Sequence, residues 1–241
     1  GTDTTRAVTP DGLHDMTTLA GASWFLDDDT MAGDDATKAV SQQSLIAYVA
    51  AQVAASSPGR VLLGTVTPSA AATFSFVNGV GGIVFDSTYD RYEFDFVNVI
   101  PATDSAQLLA QVTVSGTAQT SLYNYINRSQ YAGQASPVNE GGTSTAAFSF
   151  HDSATNEGVS NVVAEGGTSG TLTAFAPSAQ ATSYAKFRWE FAHMNASVTS
   201  EAGITDGAGT WVSATGIDGV QFKFSTGNVT SGTVHLYGIK I

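Results

Sequence analysis

The chain of 241 residues is 42% hydrophobic and only 12% charged, with 25 glycines and 13 phenylalanines, which is the usage of a turn-rich β protein and excludes a disordered one. Its 21 acidic residues against 9 basic ones leave a formal net charge of −12, a surface that repels nucleic-acid phosphates and anionic lipid headgroups. The lack of cysteine excludes a disulfide scaffold or thiolate metal site, and neither a membrane-length apolar run nor a signal-peptide pattern is present, so no nucleic acid and no membrane insertion are expected.

Gly1 fits either removal of an initiator Met or a processed fragment. Residues 1–35 read as an extended N-terminal anchoring arm: the first 23 have no period and are rich in Thr, Asp and Gly. Trp24, Phe25 and Leu26 then stand beside Asp27, Asp28 and Asp29, an apolar tripeptide that needs a surface to bury itself against, whether on a neighbouring protein or on its own domain. Residues 36–57 contain ATKAVSQQSLIAYVAAQVAA, free of Gly and Pro, and read as a helix capped by Ser41 and stopped at Ser56-Ser57-Pro58-Gly59. Ala39, Gln42, Ile46, Val49 and Val53 recur at helical spacing, with Leu45 and Tyr48 widening the stripe. A helix this short must pack on something. Gln42, Ile46, Val49 and Val53 are the expected seam with copies of the same chain, although two heptads do not establish a coiled coil.

Residues 58–241 read as strands and turns. Arg60–Val66 and Ala72–Val77 flank Thr67-Pro68-Ser69, and Asn78–Gly82 is a loop opened by Asn-Gly. The clearest period lies in FDSTYDRYEFDFVNVIP, where Tyr92, Phe94 and Phe96 alternate with Arg91, Glu93, Asp95 and Val97, between the turn cluster Asp86-Ser87-Thr88 and Pro101. Strands follow at Ala106–Val114 and at Leu122–Ile126, which carries Tyr123 and Tyr125. The letters EGGTS occur at both Glu140–Ser144 and Glu165–Ser169, each before an apolar strand (Thr145–Phe150 and Gly170–Phe175). They read as equivalent hairpin tips on one sheet edge. Phe187–Phe191 and Val220–Phe224 repeat the aromatic alternation, and Val234, Leu236, Tyr237, Ile239 and Ile241 close the chain as a paired strand. The expected fold is mainly β: an antiparallel β-sandwich, jelly-roll-like, preceded by the arm and one short helix.

Three stretches resemble a known family. FLDDDTMAGDDATKAVSQQSLIAYVAAQ is similar to a segment of tail-fibre and other appendage proteins of tailed bacteriophages, in which an acidic D-D-x-M-x-x-D-x-A-T-K stretch precedes a Q-Q-S-x-x-A-Y-V helix. Phe85–Phe94 resembles the I-D-S-T-Y-D-x-Y-x-F strand of phage receptor-binding and virion-surface domains, and Ile217–Lys240 resembles their closing hairpin. The resemblance implies a structural virion protein: a homotrimeric fibre displaying its sandwich for host attachment, with Trp24, Phe25 and Leu26 as the virion anchor on other tail or capsid proteins. A head-fibre or capsid-decoration protein without a receptor role, and a lectin-like module binding a host-surface glycan, are the other readings.

No catalytic constellation emerges. His14, His151, His193 and His235 lack metal-ligand spacing, and there is no G-x-S-x-G, no cysteine nucleophile and no phosphate loop. Glu93 and Asp95 share a strand face, as a glycan-hydrolysing pair must, but Arg91 in the same row is expected to neutralise them. The aspartates at 27–29 and 34–35 lack the spacing of a Ca²⁺ loop. No enzyme, metal or cofactor is expected. If a glycan binds, Tyr123, Tyr125 and Trp211 are the aromatics assigned to stack on it.

Overall fold

The computed structural model describes residues 25–26, 39–40, 59–151, 158–175, 183–196 and 201–240. The chain divides into two compact units, Gly1–Ser57 and Pro58–Ile241. In the first, strand β1 (Phe25–Leu26) pairs in parallel with β2 (Ala39–Val40). Two residues of the anchor tripeptide thus pair their backbone within their own unit. Ala39 and Val40 are extended, immediately before Ser41, the residue read as the cap of the helix. Trp24 and the seam residues Gln42, Ile46, Val49 and Val53 lie outside the described residues.

The second unit is an antiparallel β-sandwich. Its eight-stranded sheet runs, in spatial order, β3 (Arg60–Val66), β15 (Val229–Ile239), β5 (Arg91–Pro101), β11 (Thr168–Phe175), β12 (Ala185–Met194), β13 (Ala202–Trp211), β8 (Tyr123–Tyr131) and β9 (Val138–Thr145). The five-stranded sheet runs β10 (Phe148–Ser149), β6 (Leu108–Val114), β14 (Gly219–Phe224) and β4 (Phe74–Val77), with β7 (Thr117–Ala118) paired to β6. All pairs in both sheets are antiparallel.

Strand parity decides what goes inside. Along β12 the residues alternate without a break, Ala185, Phe187, Trp189, Phe191 and His193 buried and Lys186, Arg188, Glu190 and Ala192 exposed. On β5, Tyr92, Phe94 and Phe96 face inward as their spacing requires. Rings from the two sheets meet: Phe222 of β14 lies edge to face with Phe94 at 5.2 Å and with Phe96 at 5.0 Å, and Phe148 of β10 lies tilted against Trp189 at 5.6 Å. Each such ring contributes about 1.5–3 kcal/mol by leaving water, and the pairings add about 0.5–1.5 kcal/mol. This aromatic seam outweighs any exposed ion pair, which contributes about 1 kcal/mol at most.

Two of the three distinctive stretches meet here. Phe85 packs tilted against Tyr92 at 4.3 Å, and the Tyr92 hydroxyl donates to the Asp86 carbonyl (2.7 Å) while accepting from the Asp86 N–H (2.9 Å). Asp86 Oδ1 accepts the Thr88 N–H at 2.8 Å, closing the turn that Asp-Ser-Thr predicts. Tyr89 then lies over Gly238 of β15, where a Cβ would come within 2.5 Å of the ring. The absent side chain at 238 is what lets the two stretches pack.

Two long strands have no counterpart in the sequence reading. β13 (AGITDGAGTW) and β9 (VNEGGTST) are glycine-rich and show little hydrophobic period. In β13 the inward glycines leave room for large rings: a Cβ at Gly207 would stand 2.5 Å from Trp189 Nε1, and one at Gly209 2.5 Å from Phe148. The two EGGTS copies are not equivalent. The first lies within edge strand β9, whereas the second ends a short 3₁₀ turn (Val163–Glu165) and enters β11 in mid-sheet, with Gly166 and Gly167 at φ of 75° and 63°. Pairing partners, not the five letters, set the backbone.

Candidate functional site

The three aromatics assigned to sugar stacking do not reach a surface together. Tyr123 and Trp211 are 0% and 3% exposed. The Tyr123 hydroxyl accepts the Val112 N–H and donates to the Gln119 carbonyl, and Trp211 Nε1–H donates to the Ser121 carbonyl. Burial pushes the Tyr123 phenol well up. Tyr125 shares the parity of Tyr123 and is half-buried, its ring beside Phe148 and Trp189. Tyr123 and Trp211 are core residues, because odd-numbered positions on β8 and β13 face the other sheet.

The opposite parity builds a different surface. Antiparallel register lines up Glu93, Thr173, Arg188, Ala208 and Ile126 across β5, β11, β12, β13 and β8. The next row holds Arg91, Phe175, Lys186, Thr210 and Asn124. Small Ala208 and Thr210 sit between long neighbours, so the outer face sinks into an open depression of about 610 Å³. Ile126 and Phe175 line it at 62% and 38% exposure, together with Lys186, Arg188, Asn124 and Thr143. A smaller hollow of about 330 Å³ adjoins it, sharing Ile126, Arg188 and Ala208 and adding Arg128, Asn139 and Asp206.

The charges on this face are unequally engaged. Arg60 Nη2 reaches Glu93 Oε1 at 2.6 Å and Asp95 Oδ2 at 3.1 Å, and its guanidinium lies 3.6 Å above the Tyr237 ring. Arg60, from another strand, makes the neutralising ion pairs that the sequence assigns to Arg91; Glu93 and Asp95 share one cation. Arg128 donates through Nε and Nη2 to Asp206 Oδ1 at 3.0 and 2.9 Å. Lys186 and Arg188 have no ion-pair partner among the described residues.

A second cluster lies in the core. His151 and His193 stand edge to face at 4.6 Å, with Tyr131 at 5.5 Å from His193. The Leu108 N–H donates to His151 Nδ1 at 3.4 Å. This places the His151 proton on Nε2, which faces Thr168 Oγ1 at 3.1 Å. His193 is 4% exposed, and neither of its ring nitrogens finds a partner among the described residues. Burial lowers the His193 pKa to about 4 and holds His151 well below the ordinary imidazole value, with His193 beside it adding to the effect. The pair cannot be charged without opening the core. Among the described residues, no group of three or more His, Cys, Asp or Glu side chains is placed to hold a metal ion. His14 and the acidic stretches at 27–29 and 34–35 lie outside the described residues.

No family model, curated protein or solved structure matches this chain.

Proposed function

We propose that the chain is a structural protein of a tailed-bacteriophage virion, a fibre whose residues 58–241 form a sandwich for attachment to the host surface. In this reading Trp24, Phe25 and Leu26 hold the particle, and the segment carrying Gln42, Ile46, Val49 and Val53 joins three copies. The supporting observation is the packing of Tyr89 on Gly238: the two stretches of the β unit that resemble phage surface proteins form neighbouring strands β5 and β15, so the resemblance lies in one continuous part of the body. The open depression on the outer face favours attachment over capsid decoration alone.

Electron microscopy of purified virions labelled with a gold-tagged antibody against residues 58–241 tests the assignment. Label at fibre ends supports it, label spread over the head indicates decoration, and unlabelled virions overturn it. The trimer is checked by light scattering on the full chain. A trimeric mass that falls to one protomer when Ile46, Val49 and Val53 are changed to Asp is the expected result, and a wild-type monomer removes the proposal.

A further inference from the structure

We infer that the depression on the outer face of β11, β12, β13 and β8 binds a carboxylate-bearing saccharide of the uronic- or sialic-acid class. The inference rests on the attachment reading above and names its ligand. Two features define the chemistry. The charged residues lining the larger depression are both cations, Lys186 and Arg188, in a chain whose net charge is −12. They are two positions apart on one strand face, roughly 7 Å along the strand, so a single carboxylate placed between them meets both. Arg188 offers the planar fork that takes a carboxylate through two hydrogen bonds, and Lys186 adds a point charge.

Phe175 and Ile126 supply an apolar platform for the C–H face of a sugar ring, and Asn124 and Thr143 line the same hollow with hydroxyl- and amide-type partners. The shape is shallow and open, which suits a segment of polysaccharide chain. A peptide adding as a strand has no access, because β11, β12, β13 and β8 are each paired on both sides.

Isothermal titration of the full chain with galacturonate, glucuronate and sialic-acid oligosaccharides, each beside its neutral methyl ester, tests this. Binding of at least one acid and loss of about tenfold or more in affinity on esterification are expected. Lys186→Gln/Arg188→Gln abolishes the preference for acid, Phe175→Ala weakens both forms, and Lys240→Gln, outside the depression, leaves binding intact. Circular dichroism melts of all variants overlay, because the changed side chains are at the surface. Failure of every acid to bind, or equal binding of acid and ester, overturns the inference. The gold-label experiment is independent: a chain that binds acidic sugar but labels no virion loses the virion role and keeps the site, and the converse result removes the site alone.

Discussion

The two faces of the eight-stranded sheet are written by alternate residues of the same strands, yet they do opposite things. On β12, Phe187, Trp189, Phe191 and His193 point into the buried seam, while Lys186, Arg188, Glu190 and Ala192 point away from it. Inside, polar atoms are few and mostly spoken for: Trp189 Nε1 donates to Asn127 Oδ1 at 2.9 Å, and Asn127 Nδ2 donates to the Ser149 carbonyl at 2.6 Å. Outside, small residues leave a hollow and two cations face solvent without an ion-pair partner among the described residues. On the proposed reading, stability and recognition can therefore be altered separately, one residue apart in sequence.

The largest effects are expected inside. Trp189→Ala should lower unfolding stability by about 3–5 kcal/mol in a denaturant titration, since it opens a cavity and strips Asn127 of a partner. A loss below about 1 kcal/mol would erase the distinction between the faces. Acid comes next. His193 binds its proton more readily unfolded (6.5) than folded (about 4), so its contribution is complete above pH 6.5 and is lost as pH falls toward 4. The loss from this residue is about 3 kcal/mol across that window. No acidic side chain is among the causes of either histidine's shift, and His151 and Tyr131 are the titratable rings in contact with His193. His193→Leu should remove about one proton from the slope of stability against pH between 6.5 and 4. An unchanged slope would mean that His193 is hydrated.

Outer-face changes should be small. Arg60→Ala removes the ion pairs to Glu93 and Asp95 and the stacking on Tyr237, all partly exposed, and should cost about 1 kcal/mol or less. Ile126→Ala, at a side chain 62% exposed, should fall within about 0.5 kcal/mol. Unfolding midpoints of these two variants beside Trp189→Ala sharpen the comparison, and an Ile126 variant as damaged as the tryptophan one would break it.

Sequence alone carried much of the sandwich. β3 occupies the residues that its pattern marks, Arg60–Val66, and the aromatic rows at Tyr92–Phe96, Phe187–Phe191 and Val220–Phe224 are all inward. β9 and β13 escaped because glycine carries no hydrophobic signal. The useful clue was that Gly203, Gly207 and Gly209 share the parity of Trp211 and so form one row of gaps for rings on β12, β8 and β10. The sugar-stacking assignment failed at Tyr123 and Trp211 for a related reason. Periodicity tells which residues share a face but not which face is covered, and a tyrosine or tryptophan is comfortable inside once backbone groups satisfy its polar atom. The cationic hollow was legible in Lys186-Phe-Arg-Trp as the polar half of an alternation whose aromatic half draws attention first.

The double variant Lys186→Gln/Arg188→Gln, carried through denaturant unfolding and adsorption to host cells on one preparation, tests this division of labour most directly. An unfolding midpoint matching wild type together with lost adsorption is the predicted result. A lowered midpoint, or adsorption that persists at wild-type level, would contradict it.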